Sequence, residues 1–221
     1  MLTFHNNPSI KEKYLARLRA HAAADRIIKG KYWENGKGCA VGCTIEGDDH
    51  KRYETELGIP ESIAWLEDRI FEGLPNDLAM TFPLRFLEAI PVGADLSDVV
   101  PSMMIYVLTD CRIHADRAGQ DAIDTVIALY RRRLTGAEPT EEEWAAAAGY
   151  AGDAARAAWA AAGNAARAAW AAAAGYAGDA GDDAAWAAAR AAWAAGDAAW
   201  AAAGDAAYIR YSEELIRLIS Q

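Results

Sequence analysis

Between Ala145 and Ala207 the chain contains no Val, Ile, Leu, Met, Phe or Cys. A stretch of that length cannot build a conventional core, because burying alanine methyls removes too little apolar surface from water. The 53% hydrophobic content of these 221 residues is thus inflated by alanine. Residues 1 to 137, by contrast, carry enough Leu, Ile, Val, Met and Phe for a real core. Composition therefore predicts two domains, a helical globular domain at 1–137 and an alanine-rich tail at 138–221.

After Pro139, Thr140-Glu141-Glu142-Glu143 forms a capping box and Trp144 begins the alanine tract. AAAAGYAGDA occurs at 145–154 and again at 171–180, and AARAAWAAA at 154–162 and 165–173, so the tail is a repeat array. On a helix of 100° per residue, Trp159 and Trp170 differ by about 20°, and Trp186, Trp193 and Trp200 drift by about 20° per step the other way. Each set makes one stripe. Gly175, Gly178 and Gly181 separate the two sets, which predicts two long helices, roughly 153–174 and 183–219, folded into an antiparallel hairpin. The alternative is a solenoid of short helices restarting at each Gly-Asp or Gly-Asn pair; the hairpin is preferred because segments of six to eleven residues are unstable by themselves. A tryptophan stripe left in water would be a large apolar patch, so a homodimer is expected. Leu215, Ile216, Leu218 and Ile219 return aliphatic packing to the chain.

The net charge of −10 argues against a nucleic-acid partner, since neutralising phosphates needs basic surface. The charge is divided along the chain. Residues 1–37 hold eight Lys or Arg against three acids, whereas residues 46–98 hold thirteen acids against four bases. A basic first helix lying against acidic neighbours is the simplest arrangement. The tail is interrupted by Gly, Asp and Arg too often for a membrane span, so no membrane partner is expected. Three cysteines and the lack of a charged-then-apolar leader point to a reducing, cytoplasmic setting.

Helical periodicity runs from a Ser9 to Glu12 capping box, through Ile10, Tyr14, Leu18 and Ile28, to Gly30, which predicts a first helix over 9–29. A polar, glycine-dense loop follows at 31–49, and a segment from His50 to Leu57 ends at Gly58. Pro60 then opens a helix through Phe71, with Ile63, Leu66, Ile70 and Phe71 inward and Gly73 closing it. Further helices are expected at about 76–89, 98–115 and 119–134. Arg131, Arg132 and Arg133 suit the C-terminal dipole of the last of these. Only Cys39 to Ile45 suggests a short strand, so the predicted fold class is all-α.

Chemically versatile side chains concentrate between residues 31 and 54. Trp33, Asn35, Lys37, Cys39, Cys43, Thr44, His50, Arg52 and Tyr53 are the candidate ligand-binding residues, accompanied by Glu46 and Glu54 and spaced by Gly36, Gly38, Gly42 and Gly47. Glycines can let backbone N–H groups face a ligand, Asn35 and Lys37 offer donors to phosphate or carbonyl oxygen, and Trp33 offers a stacking face. A small nucleotide-like ligand would suit such a loop, although GKGCAVGC lacks the order of a Walker motif and follows no strand. A glycine-rich loop packed on the core by Trp33 and Val41 would explain the same pattern structurally. Two other readings use the same residues. Cys39, Cys43 and His50 could ligate zinc, with His21 or His114 as a fourth ligand, but the spacing does not follow the paired pattern of structural zinc modules, so no cofactor is expected. Cys39 or Cys43 could act as a nucleophile with His21 as base and Asp25 as its orienter, the last two standing one turn apart on the first helix.

GKGCAVGCT, His50 with Arg52-Tyr53-Glu54, LGIP at 57–60, LEDRIFEGL at 66–74, FPLRFLEAIPVG at 82–93 and an alanine-tryptophan tail together resemble a family of proteins from bacterial, phage and metagenomic genomes. The resemblance covers nearly the whole chain and supplies no activity. It implies a context, that of a phage or mobile-element accessory factor acting in the host cytoplasm against host defence, by sequestering a signalling nucleotide or blocking a host protein. The expected function is therefore non-enzymatic binding, with a cysteine- or metal-dependent enzyme and an assembly protein acting through the repeat tail as alternatives.

Overall fold

The computed structural model describes residues 1–113, 115–150 and 205–221. The expected helical hairpin and its solenoid alternative, together with His114, lie outside the described residues except for the final helix. The class is all-α, with a single two-stranded sheet among the described residues. Two compact units are present, one of Met1–Val100 with Asp205–Gln221 and one of Pro101–Gly204. No described helix is long and apolar enough to cross a membrane.

In the first unit, helix α1 runs over Pro8–Ala23. Asn7 caps it, accepting from the Ser9 amide at 3.0 Å, with Pro8 in the first turn, so the expected capping box at Ser9 is replaced by a cap two residues earlier. It also stops six residues before the expected end at 29. Asp25 adopts a left-handed conformation (φ 50°), and the Asp25 and Arg26 amides turn back to the Ala22 and His21 carbonyls at 3.2 and 3.0 Å. This is the Schellman stop normally built on glycine, here on an aspartate, which tolerates that region better than most residues. Ile28 therefore leaves the helical stripe.

The charge split is satisfied internally. Arg19 pairs with Glu88 at 2.8 Å, Arg17 lies 3.6 Å from Glu46, and the Lys11 ammonium donates to the carbonyls of Glu88 and Ile90 at 2.8 and 2.6 Å.

The predicted loop at 31–49 is mostly regular structure. Strands β1 (Trp33–Glu34) and β2 (Lys37–Gly38) pair antiparallel across Asn35 and Gly36, whose positive φ values of 53° and 75° are those a tight hairpin turn needs. Helix α2 follows at Ala40–Ile45, where a short strand was expected. The Cys39 sulfur accepts from the Gly42 amide at 3.5 Å as an N-cap, and left-handed Glu46 (φ 51°) ends the helix, so both ends are closed within a single buried turn and a half.

A wide helical turn, Tyr53–Leu57, stops at Gly58 (φ 63°) as the sequence predicts. Helices α3 (Glu61–Gly73) and α4 (Asn76–Ala89) match their expected ranges, and Ile63, Leu66, Ile70 and Phe71 are all buried.

At the N-terminus, Phe4, His5 and Asn6 form a left-handed turn (φ 52°, 50° and 56°) with nothing in the sequence to announce it. The turn is secured by Thr3, whose hydroxyl donates to the Pro91 carbonyl at 2.5 Å and accepts from the Ala94 amide at 2.8 Å. Such conformations cost on the order of 1–2 kcal/mol per residue and persist only where surrounding contacts determine them.

The C-terminal helix, here α7 (Asp205–Ile219), belongs to this unit. Tyr211, Leu215 and Ile219 are fully buried, the Tyr208 ring fills the place where Gly73 lacks a side chain, and Arg85 of α4 holds Glu213 at 2.9 Å.

Helix α5 (Val99–Arg112) begins with Val99 and Val100 of the first unit and continues in the second from Pro101, where it is followed by α6 (Arg117–Leu134). Asp116 caps α6, and the Arg112 guanidinium holds Asp124 with two bonds of 2.7 and 2.8 Å. The capping box at Thr140 forms as read from the sequence. The Glu143 carboxylate accepts from the Thr140 amide at 2.8 Å and the Thr140 hydroxyl accepts from the Glu143 amide at 3.2 Å. Residues 141–150 are helical, and Trp144 packs on Tyr130 with ring centroids 4.9 Å apart.

Gly42→Ala places a methyl group 1.5 Å from the Tyr32 carbonyl oxygen, and a backbone atom cannot retreat as a side chain can. We expect a loss of about 3 kcal/mol or more in chemical denaturation. Gly36→Ala, which meets open space and pays only for its positive φ, should cost about 1 kcal/mol.

Candidate functional site

The glycines of GKGCAVGC serve the backbone. Cβ atoms on Gly38 and Gly42 would lie 2.0 and 1.5 Å from the Tyr32 carbonyl oxygen, so the Tyr32 backbone crosses directly over β2 and α2. The Cys39 amide donates to the Lys31 carbonyl at 2.7 Å, and the Gly38 amide and carbonyl bond Arg26 and Ile28 at 3.0 and 2.8 Å. The Gly38 and Cys39 amides are therefore taken by the backbone at Arg26 and Lys31, and the Gly42 amide by the Cys39 sulfur, so these three donate within the chain.

Of the nine candidate residues, Cys39, Cys43, Thr44, His50 and Tyr53 are buried, Trp33 and Arg52 are half-buried, and Asn35 and Lys37 are exposed. The Cys43 thiol donates to the Gly38 carbonyl at 3.3 Å, the Thr44 hydroxyl to the Ala40 carbonyl at 2.9 Å, and Arg52 to Glu56 at 2.5 Å. His50 stacks face to face on Trp65, with centroids 3.6 Å apart and planes 3° from parallel, while Tyr32 meets it edge-on at 5.2 Å. Burial pushes the His50 imidazole below its ordinary pKa, and its Nε2 has no partner.

The two chemical alternatives are not assembled. His21 Nε2 lies 3.1 Å from a Glu46 carboxylate oxygen and the ring meets Trp33 edge-on at 5.3 Å. Asp25, expected to orient it, is exposed and has left the helix, so no His21–Asp25 pair forms. Burial raises both thiols of the motif, Cys43 to about 11 and Cys39 further still, where Asp68 adds to the effect. A thiolate is thereby disfavoured at neutral pH. Cys39, Cys43 and His50 are not brought together as a ligand set, and among the described residues no group of three or more His, Cys, Asp or Glu could hold a metal ion.

Sequence reasoning passed over Glu67 and Asp68. Glu67 is wholly buried and accepts from the Tyr53 hydroxyl at 2.7 Å, while Asp68, also buried, acts electrostatically on the Cys39 thiol. Each carboxyl keeps one oxygen, Glu67 Oε1 and Asp68 Oδ1, buried without a partner. Desolvation pushes Glu67 up to about 8, with the neighbouring Asp68 charge adding to the rise, and pushes Asp68 up to about 6. The signal was available. Glu67 falls four residues after Ile63, three before Ile70 and four before Phe71, so the periodicity that marks the apolar stripe of α3 also puts a carboxyl inside it.

A carboxyl held above its ordinary range contributes stability that is fully present below about pH 4.5 and is lost as pH rises towards 8. Glu67→Gln removes that loss. We expect the variant to unfold at higher denaturant than the parent at pH 8, by a few kcal/mol, with the difference vanishing at pH 4.5; equal midpoints at pH 8 would show that Glu67 is not held neutral.

No protein-family model, curated protein or solved structure matches the chain, so its chemistry is read from its own residues.

Proposed function

We propose that the protein is a non-enzymatic binding protein whose ligand, small and nucleotide-like, meets the hairpin at 33–38 and the aromatic residues beside it. One observation carries the reading. Within the 31–54 segment the nucleophiles are sealed beneath the Tyr32 backbone, whereas the recognition groups remain outside, with Asn35, Lys37 and the Tyr32 ring exposed and Trp33 half-exposed. A planar base can stack on an aromatic face, and an ammonium such as that of Lys37 can meet a phosphate as a point charge. Anchoring of β2 to residues 26–28 presents these side chains on a fixed backbone, which lowers the ordering cost of binding.

The resemblance to phage-associated proteins supplies the biological side of the proposal, an accessory factor in the host cytoplasm that removes a signalling nucleotide from host defence. A host protein held by the same hairpin is the outcome to which a failed ligand search would lead. A homodimer remains part of the proposal through the tryptophan stripe of the tail, which lies outside the described residues.

Native mass spectrometry of freshly purified protein, beside its denatured mass, tests the reading and reports stoichiometry in the same spectrum. We expect an added mass of a few hundred daltons per subunit, lost in a Trp33→Ala, Lys37→Glu variant. A ligand retained by that variant would move the site elsewhere, and a bare mass would direct the search to protein partners captured by the hairpin. Alkylation at pH 8 addresses the cysteine-enzyme alternative. Cys39 and Cys43 should react at least about 100-fold more slowly in the folded protein than in the unfolded chain, given their burial and raised pKa values. A fast thiol at either position would revive it.

A further inference from the structure

We propose that Asn35-Gly36 is a modification site, at which spontaneous deamidation through a cyclic imide converts the tip of the hairpin and limits how long its recognition face lasts. The chain holds five asparagines, and Asn35 is the one that precedes a glycine. In this reaction the nitrogen of the following residue attacks the asparagine side-chain carbon, and any Cβ on that residue crowds the approach. The pair forms the apex of the turn between β1 and β2, with Asn35 exposed and nothing within 4 Å of where a Gly36 side chain would begin. Neither the Asn35 side chain nor the Gly36 N–H has a hydrogen-bond partner among the described residues. Both reacting groups are thus unhindered and uncommitted.

The other asparagines each lack something. Asn7 precedes Pro8, whose nitrogen carries no proton to lose, and its side chain accepts from the Ser9 amide at 3.0 Å. Asn6 precedes Asn7, whose amide already donates to the Phe4 carbonyl at 2.9 Å. Asn76 stands in the first turn of α4 and is followed by Asp77, whose side chain crowds the amide and whose charge opposes loss of its proton. Asn164 precedes Ala165 and lies outside the described residues.

The step balances with water alone. The Gly36 nitrogen gives its proton to a solvent base and forms a bond to Asn35 Cγ; the Cγ–Nδ2 bond breaks, and ammonia leaves after taking up a proton from solvent. Water then opens the five-membered imide. Breaking the new bond at Cγ yields aspartate, and breaking the main-chain bond yields isoaspartate, so one water is consumed for each ammonia released. Isoaspartate lengthens the backbone of a two-residue turn by one carbon, and Glu34 and Lys37 lose their register. Aspartate tolerates the left-handed φ of 53° and keeps the turn, but sets a negative charge beside Lys37. Both products weaken the hold on a phosphate; that consequence rests on the binding reading above, whereas the reaction does not.

Ageing the full-length protein at 37 °C and pH 8 tests the proposal, read by peptide mass spectrometry and by enzymatic methylation of isoaspartate. We expect conversion at Asn35 to lead that at every other asparagine. At pH 7 it should run about tenfold slower, because the reactive anion of the Gly36 nitrogen is about tenfold scarcer per pH unit. Asn35→Gly, which keeps a turn-forming Gly-Gly pair, should abolish the isoaspartate signal. An Asn35 that stays intact while the urea-unfolded chain converts overturns the proposal, since the hairpin then forbids the ring. Conversion that begins at another asparagine, or isoaspartate that persists in the variant, overturns it too. Native mass spectra of fresh and aged protein separate the two proposals: fresh protein without added mass counts against the ligand and leaves conversion of Asn35 standing.

Discussion

The first unit depends on the Tyr32 carbonyl lying against two positions with no side chain. Because Gly38 and Gly42 admit the backbone so closely, the chain from Lys31 to Cys39 can fold back over α2 and bury both thiols, Val41 and Thr44 beneath it. A carbon atom at either glycine would lift the cover by more than an ångström, and the Cys39 amide would lose its bonds to Lys31 and Tyr32. The glycine density that suggests a phosphate loop is thus put to another use here. It brings two pieces of backbone together, and what stays exposed is the outer side of the cover, Lys31, Tyr32 and the hairpin residues Glu34, Asn35 and Lys37.

Beneath that cover the core is partly polar. Tyr53, Glu67, Asp68, Cys39 and His50 occupy positions that hydrophobic residues could fill more cheaply, and they leave three polar atoms without partners. Such networks specify a structure strongly when every member is satisfied, and they constitute its weak point when some are not. The contrast with the second unit is instructive, since there the charged residues Arg112, Asp124, Arg132 and Glu143 pair at the surface. There burial is left to Met103, Met104, Val126, Ile127 and Tyr130.

Long periodic elements were legible in the sequence. The apolar spacing of α3 and α4 and the Gly58 stop yield their ranges directly, and Thr140 with Glu143 announces a helix start that forms as expected. What escaped was decided by single residues with unusual backbone conformations. Asp25 ends α1 where a glycine would normally be sought, Asn35-Gly36 makes a hairpin between strands too short to show alternation, and Cys39 caps a helix although sulfur is a poor acceptor. The candidate site was legible as a region but not as a surface, because composition locates the reactive residue types without saying which of them the Tyr32 backbone will cover. Glu67 was legible in principle and hidden in practice, since a carboxyl within an apolar stripe contradicts the pattern being sought.

The docking of α7 on α3 and α4 makes the first unit discontinuous along the chain. Tyr211, Leu215 and Ile219 reach its core only after residues 101–204 have been made, so during synthesis the Gly73 face of α3 must wait for the Tyr208 ring that fills it. The intervening repeats behave as a long insertion, tolerable because the entropy of closing a loop grows only slowly with its length. Any cut, frameshift or repeat contraction that severs residues 101–204 from α7 therefore damages a core whose other helices all lie before Val99.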